Sequence, residues 1–100
     1  MTILAQDGRG LAVQVTSPGV TQTVSVTGVS AAVANAVVTK IIRVVCTSDC
    51  HYRIGAAPTA TTSDPFLPAN VVEYVGINSG QKIAFIQNSA NGTAFVTETK

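Results

Sequence analysis

One hundred residues suffice for one domain, and a chain this short buries only a moderate fraction of its surface. It is 46% hydrophobic and 11% charged, against roughly 25% charged in an ordinary soluble domain, and its formal net charge is +1. Its six cations, Lys40, Lys82, Lys100, Arg9, Arg43 and Arg53, are scattered without interleaved aromatic residues, so the composition gives no case for nucleic-acid binding. So few charges leave a lone monomer close to its solubility limit, and part of the surface is expected to be covered by neighbouring chains. The Val-, Ala-, Ile- and Thr-rich composition favours strands, because β-branched side chains fit a pleated surface. No secretory leader is expected: the first residues lack a basic segment and a long apolar run. The most apolar window, 29–46, is interrupted by Asn35, Lys40 and Arg43 and is too short and polar for a membrane span.

Residues 1–10 read as a loosely held N-terminal arm, with Asp7-Gly8-Arg9-Gly10 rich in turn formers, and 11–100 as a single β domain. In 11–16, Leu11, Val13 and Val15 share one face of a first strand. Ser17-Pro18-Gly19 reads as a turn. Residues 20–28 alternate, with Val20, Gln22, Val24 and Val26 on one face and Thr21, Thr23, Ser25 and Thr27 on the other. Residues 29–34 are expected to be extended or irregular, although their alanines also suit a short helix. The strongest strand signal follows from Val37, with Ile42, Val44 and Cys46 on one face and Ile41, Arg43 and Val45 on the other.

Residues 41–55 then read as a central hairpin folded around Thr47-Ser48-Asp49, with Cys50, Tyr52 and Ile54 facing the core and His51 and Arg53 facing away. Residues 56–70 hold Pro58, Pro65 and Pro68 and are expected to form one long polar loop without a regular element. Phe66 and Leu67 inside it should be buried, against this domain or another. Residues 71–77 and 82–87 read as strands joined by a turn at 78–81, and Asn91-Gly92 signals a second hairpin leading into a last strand at 93–97. The expected fold is all-β: a compact antiparallel β-sandwich, of Ig-like type or a jelly-roll-like barrel, with about seven strands.

No catalytic constellation stands out. Cys46 and Cys50 flank a three-residue turn. Joined as a disulfide they would contribute only about 2 kcal/mol on a chain-entropy model; reduced, they are small buried hydrophobes. With a single histidine, the chain offers too few ligands for a structural zinc, and His51 points away from Cys50, so no Cys-His pair forms along the strand. No cofactor or metal is expected, and no enzymatic activity. His51 and Arg53, beside Glu73 or Asp49, form either a solvated strand face or a polar contact with a partner.

The run Cys50-His51-Tyr52-Arg53-Ile54-Gly55-Ala56-Ala57-Pro58-Thr59-Ala60, then Leu67-Pro68-Ala69, Gly80-Gln81-Lys82-Ile83-Ala84 and Gly92-Thr93-Ala94-Phe95-Val96-Thr97-Glu98, resembles small virion proteins encoded in tailed-bacteriophage structural gene clusters. The resemblance spans about Lys40 to the C-terminus and is a pattern of loops and strands. It implies a structural protein without chemistry, and the capsid decoration (cement) type fits this length best. Such proteins bind the outer surface of the shell, often as homo-trimers or homo-dimers, and clamp adjacent capsomers. The implied partner is the major capsid protein, with neither nucleic acid nor membrane involved. The implied location is the capsid surface of the virion, after synthesis in the host bacterial cytoplasm. The contacting parts would be the arm and the 56–70 loop, with Phe66 and Leu67 as apolar anchors and His51 and Arg53 as polar contacts. The alternative is a neck, tail or fibre-associated domain, structural or binding a host surface.

Overall fold

A computed structural model of the chain describes residues 18–99. The arm expected over 1–10 and the strand expected over 11–16 lie outside the described residues. The remainder is all-β, in eight strands: β1 (Pro18–Val26), β2 (Ala31–Ala32), β3 (Ile41–Cys46), β4 (Cys50–Gly55), β5 (Phe66–Leu67), β6 (Glu73–Gly76), β7 (Lys82–Gln87) and β8 (Gly92–Thr99). They form two antiparallel sheets, a front sheet in the order β1-β8-β3-β6 and a back sheet in the order β2-β7-β4-β5.

The pairings nest. β4 pairs with β5, β3 with β6, β2 with β7 and β1 with β8, as though one long hairpin with its tip between β4 and β5 had been rolled up. The pairs β3–β8 and β4–β7 then join the layers of the roll side by side. This is the jelly-roll arrangement of the antiparallel sandwich.

Rolling explains where the local signals mislead. Residues 41–55 do not form a hairpin: β3 belongs to the front sheet and β4 to the back, and 47–49 carry the chain across between them. The turns at 78–81 and 88–91 likewise join strands of opposite sheets. The 78–81 turn itself forms as expected, closed by the Gln81 N–H to the Asn78 carbonyl at 3.0 Å, with Gly80 at a φ of 91° that glycine accepts without strain. Several boundaries move: β1 ends at Val26 instead of 28, and β8 runs Gly92–Thr99 against the expected 93–97. Pro18 and Gly19 begin β1 instead of turning, the strand expected from Val37 starts at Ile41, and β6 is shorter than 71–77.

Strand parity holds beyond the register shift in β1; Val20, expected on the face of Val24 and Val26, lies before that shift and is exposed. Val24, Val26, Ile42, Val44, Cys46, Cys50, Ile83, Phe85, Ala94 and Val96 face inward and are buried between the sheets, with Val33, Val37, Leu67 and Ile77 closing the ends. Val and Ile supply most of these inward positions, as suits a pleated surface.

Candidate interaction faces

The two sheets present opposite outer faces. The back sheet directs His51, Arg53, Ala84 and Ile86 outward, and the chain covers much of this face itself. After β4, residues 56–65 form a strap that returns to β5 in the same sheet. It is pinned at one end where the Ala60 N–H donates to Ser30 Oγ at 2.8 Å, with Ala60 buried. At the other end Asp64 is the hub. The Asp64 N–H closes a turn on the Thr61 carbonyl at 3.0 Å, and the Thr61 N–H donates to Asp64 Oδ2 at 2.7 Å. Arg53 reaches Asp64 Oδ1 through both Nε and Nη2 at 3.1 Å. The Thr61 backbone donor, then the Arg53 guanidinium, hold the Asp64 carboxyl below the usual aspartate range.

His51 lies under this strap and is only 8% exposed. Its Nδ1 is 2.8 Å from the Asp64 carbonyl, which can only accept, so Nδ1 carries a proton. Nε2 is 3.0 Å from the Asn88 side-chain oxygen. Either charge state of the ring is satisfied: an imidazolium donates to that oxygen, and a neutral ring accepts from the Asn88 amide turned over. Phe66 meets the ring edge-on at a centroid distance of 5.4 Å. His51 is therefore an internal clamp for the strap, a correction to its expected place on a solvated or partner-contacting face. Arg53 pairs with Asp64, not with Glu73 or Asp49.

Leu67 takes one of its two expected placements, burial against this domain, and only its expected role as an anchor is corrected. It is fully buried, paired with Cys50 at the start of β4, and belongs to the core, so it is no partner anchor. The loop expected to be irregular contributes β5 here, because Phe66 and Leu67 add to the edge of β4. Phe66 is 46% exposed and remains available.

The cysteines are free and buried. Burial, followed by the neighbouring Cys46 thiol, pushes Cys50 up to about 12, so its sulfur stays protonated and is no nucleophile near neutral pH. Tyr52 donates to Glu73 Oε1 at 3.3 Å, linking the back sheet to the edge of the front sheet. Burial and then the Glu73 carboxylate raise the Tyr52 phenol above its usual value. Among the described residues, no three His, Cys, Asp or Glu side chains converge as metal ligands.

The front sheet is different. Register places Thr21, Thr97, Arg43 and Tyr74 in one outward row, Thr23, Phe95 and Val45 in the next, and Ile41 beside Gly76 at the end. Arg43 is the only charged side chain among these, while Ile41, Tyr74 and Phe95 are exposed, Tyr74 at 59%. Val71 and Val72 extend the patch along the β5–β6 crossing and are also exposed. That crossing is held rigid. The Ala69 N–H donates to Asp49 Oδ1 at 2.8 Å, the Asn70 N–H to the Cys46 carbonyl at 2.7 Å, and the Val71 N–H to the Pro68 carbonyl at 3.3 Å. Asn70 adopts a φ of 61°, a left-handed conformation that asparagine tolerates better than most residues.

No protein-family model, no curated protein and no solved structure matches the chain. Its candidate site is therefore defined by its own geometry. The structure brings Phe66 and His51 together and sets Arg53 beside the same strap. Sequence reasoning passed over Asp64 and Asn88 as their partners, and Val71, Val72, Tyr74 and Phe95 as the bare apolar surface. The Thr61-x-x-Asp64 spacing, a turn-forming pair, was the available signal for the strap. Strand parity assigns Tyr74 and Phe95 to an outer face, but what leaves that face bare is the path of distant loops.

Proposed function

We propose that this chain is a structural protein of a tailed-bacteriophage virion, of the capsid-decoration type, which binds the outer surface of the shell and clamps adjacent capsomers. Its partner is the major capsid protein. It docks through the outer face of the front sheet together with the β5–β6 crossing. The observation that carries this reading is the pairing of bare apolar side chains, Val71, Val72, Tyr74 and Phe95, with a backbone pinned by three hydrogen bonds. A rigid loop that displays valines to water loses hydrophobic stabilisation in the free protein and loses little entropy when another surface covers them. Specific interfaces bury roughly 1,200–2,000 Å² in total, which one sheet face and a loop of a domain this size can supply. The resemblance over the C-terminal part of the sequence points the same way. The jelly roll recurs in viral capsid, lectin and cupin domains, and that analogy adds fold-level support only.

The test is co-sedimentation of purified protein with empty, expanded heads of the phage whose structural gene cluster encodes it, alongside calorimetry of the shells. Bound protein should raise the shell melting temperature. Val72→Ser with Tyr74→Ser should abolish co-sedimentation while leaving the melting temperature of the free protein within a few degrees. Failure of the wild type to sediment with heads, sedimentation with tails or fibres instead, or binding untouched by the double substitution would overturn the reading.

A further inference from the structure

We infer that two copies of this chain associate through the edge of β1 that no described strand covers, pairing antiparallel about a two-fold axis at Thr23, so that the two front sheets become one continuous sheet. This inference does not rest on the docking reading: it uses the edge of β1, while Tyr74 lies on β6 at the opposite edge of the front sheet.

The direction of the backbone groups follows from the ladder. The Thr93 N–H donates to Thr47 Oγ1 at 2.9 Å and the Thr93 carbonyl accepts from the Thr47 N–H at 3.0 Å, so both point to the β3 side of β8. Backbone groups alternate along an antiparallel strand. Phe95 and Thr97 therefore also bond toward β3, and Ala94 and Val96 bond toward β1. Their partners in β1 are Val24 and Gln22. The remaining residues, Thr21, Thr23 and Ser25, must direct their N–H and C=O away from β8, to the open edge. The chain just beyond agrees, since the Thr27 carbonyl accepts from the Gln87 N–H of the back sheet at 2.9 Å and not from β8. Among the described residues, no strand pairs with this edge.

Sheet edges are ordinarily kept short, charged, or broken by proline or bulges. The other three edges obey this: β2 and β5 have two residues each and β6 has four. β1 has nine, without a charged residue, and its only interruptions, Pro18 and a register shift before Thr21, lie at its beginning. Thr21, Thr23 and Ser25 are all exposed. A second copy suits this edge because the segment carries no charge to repel its own image. With Thr23 opposite Thr23, Thr21 falls opposite Ser25 of the second copy, so the outward row consists of hydroxyl pairs of the kind that stabilise adjacent strands. A strand added to an edge is bound mainly through the main chain, and a two-fold axis closes the assembly at two copies.

The experiment is sedimentation equilibrium on the full chain over about 1–100 μM, where mass action should make the dimer concentration-dependent. The expected mass tends to twice the 10.2 kDa of one chain. Thr23→Pro, which deletes one outward N–H, and Thr23→Lys, which sets two ammonium groups opposite each other, should both give monomer with an unchanged circular dichroism spectrum. Tyr74→Ser should remain dimeric. Hydrogen exchange on the wild type should show the Thr21, Thr23 and Ser25 amides protected at high concentration and open at low. A wild type that stays monomeric, an oligomer indifferent to both Thr23 variants, or open amides in the oligomer would overturn the inference. Thr23 variants that bind heads as monomers would leave the decoration reading standing.

Discussion

Gly92→Ala tests whether the crossing between β3 and β4 is as tightly seated as its geometry requires. A Cβ at Gly92 would stand 2.9 Å from Ser48 Cβ and 2.9 Å from Thr47 Oγ1, and would overlap Ser48 Oγ. Rotating Ser48 relieves only the hydroxyl, because its Cβ is fixed to the backbone. The crossing must therefore move, and Thr47 holds Thr93 through two hydrogen bonds from that crossing. Overpacking of this kind costs about 1–3 kcal/mol, and loosening one Thr47–Thr93 bond adds about 1 kcal/mol. Lower entropy of the unfolded chain returns about 0.4–1 kcal/mol. The net expectation is destabilisation by about 2 kcal/mol, or a melting temperature lower by roughly 10 °C for a domain of this size. Gly76→Ala is the control, because nothing lies within 4 Å of its added methyl group, and it should melt within about 3 °C of the wild type or slightly higher. Thermal unfolding of both variants, of Ser48→Gly alone, and of Gly92→Ala combined with Ser48→Gly completes the cycle. The double variant should recover part of the loss, since the two sites share one space. A Gly92→Ala protein that melts at or above the wild type, or shows no coupling to Ser48→Gly, refutes the reasoning.

Three further outcomes follow from the strap and the core. His51→Ala leaves the Asp64 carbonyl and Asn88 without their ring partner and should cost about 2 kcal/mol in urea unfolding, with faster exchange of the Tyr52 amide that bonds the Pro65 carbonyl. Asp64 has a lowered folded value, so its contribution is complete above the ordinary aspartate range and is lost as pH falls through the lower folded value. The strap should accordingly loosen, by hydrogen exchange, only in strong acid, and Asp64→Asn should lose that acid dependence; an unchanged acid profile in Asp64→Asn refutes the assignment. Cys50, with its value raised to about 12, and Cys46 are buried and free, so a disulfide reagent should titrate both thiols in urea and react far more slowly with the folded chain.

What was legible in the sequence was parity. Alternation in 41–46 places Ile42, Val44 and Cys46 inside, and the same alternation sends His51 to the opposite side from Cys50, as the structure has them. Pairing was not legible. Asn91-Gly92 carries the chemistry of a two-residue hairpin, yet β7 and β8 lie in different sheets, and Gly92 is required by the proximity of Ser48. A tight reversal of the chain looks the same locally whether the next strand returns beside the last one or opposite it. Which of these happens depends on the nested pairing of β1 with β8 and β2 with β7, between segments more than fifty residues apart.

Exposure is non-local for the same reason, and here it inverts the expectation from residue type. Parity turns His51 and Arg53 outward on the back sheet and Ile41, Val45 and Phe95 outward on the front. The polar pair would be the natural surface, and Arg53 does stay exposed, but among the described residues β4 and β5 are the only consecutive strands of one sheet, and the connection between them lies over His51. A buried imidazole needs hydrogen-bond partners, and Asp64 and Asn88 supply them. Among the described residues the front sheet has no connection between consecutive strands of its own, since β1, β3, β6 and β8 are separated in sequence by strands of the back sheet. Its apolar residues are left bare by topology, while Asp49 and Cys46 fix the adjoining turn in place. The face that composition marks as needing cover is thus the one the described fold does not itself cover, and it is there, more than at the proline-rich loop, that a partner has the most to gain by binding.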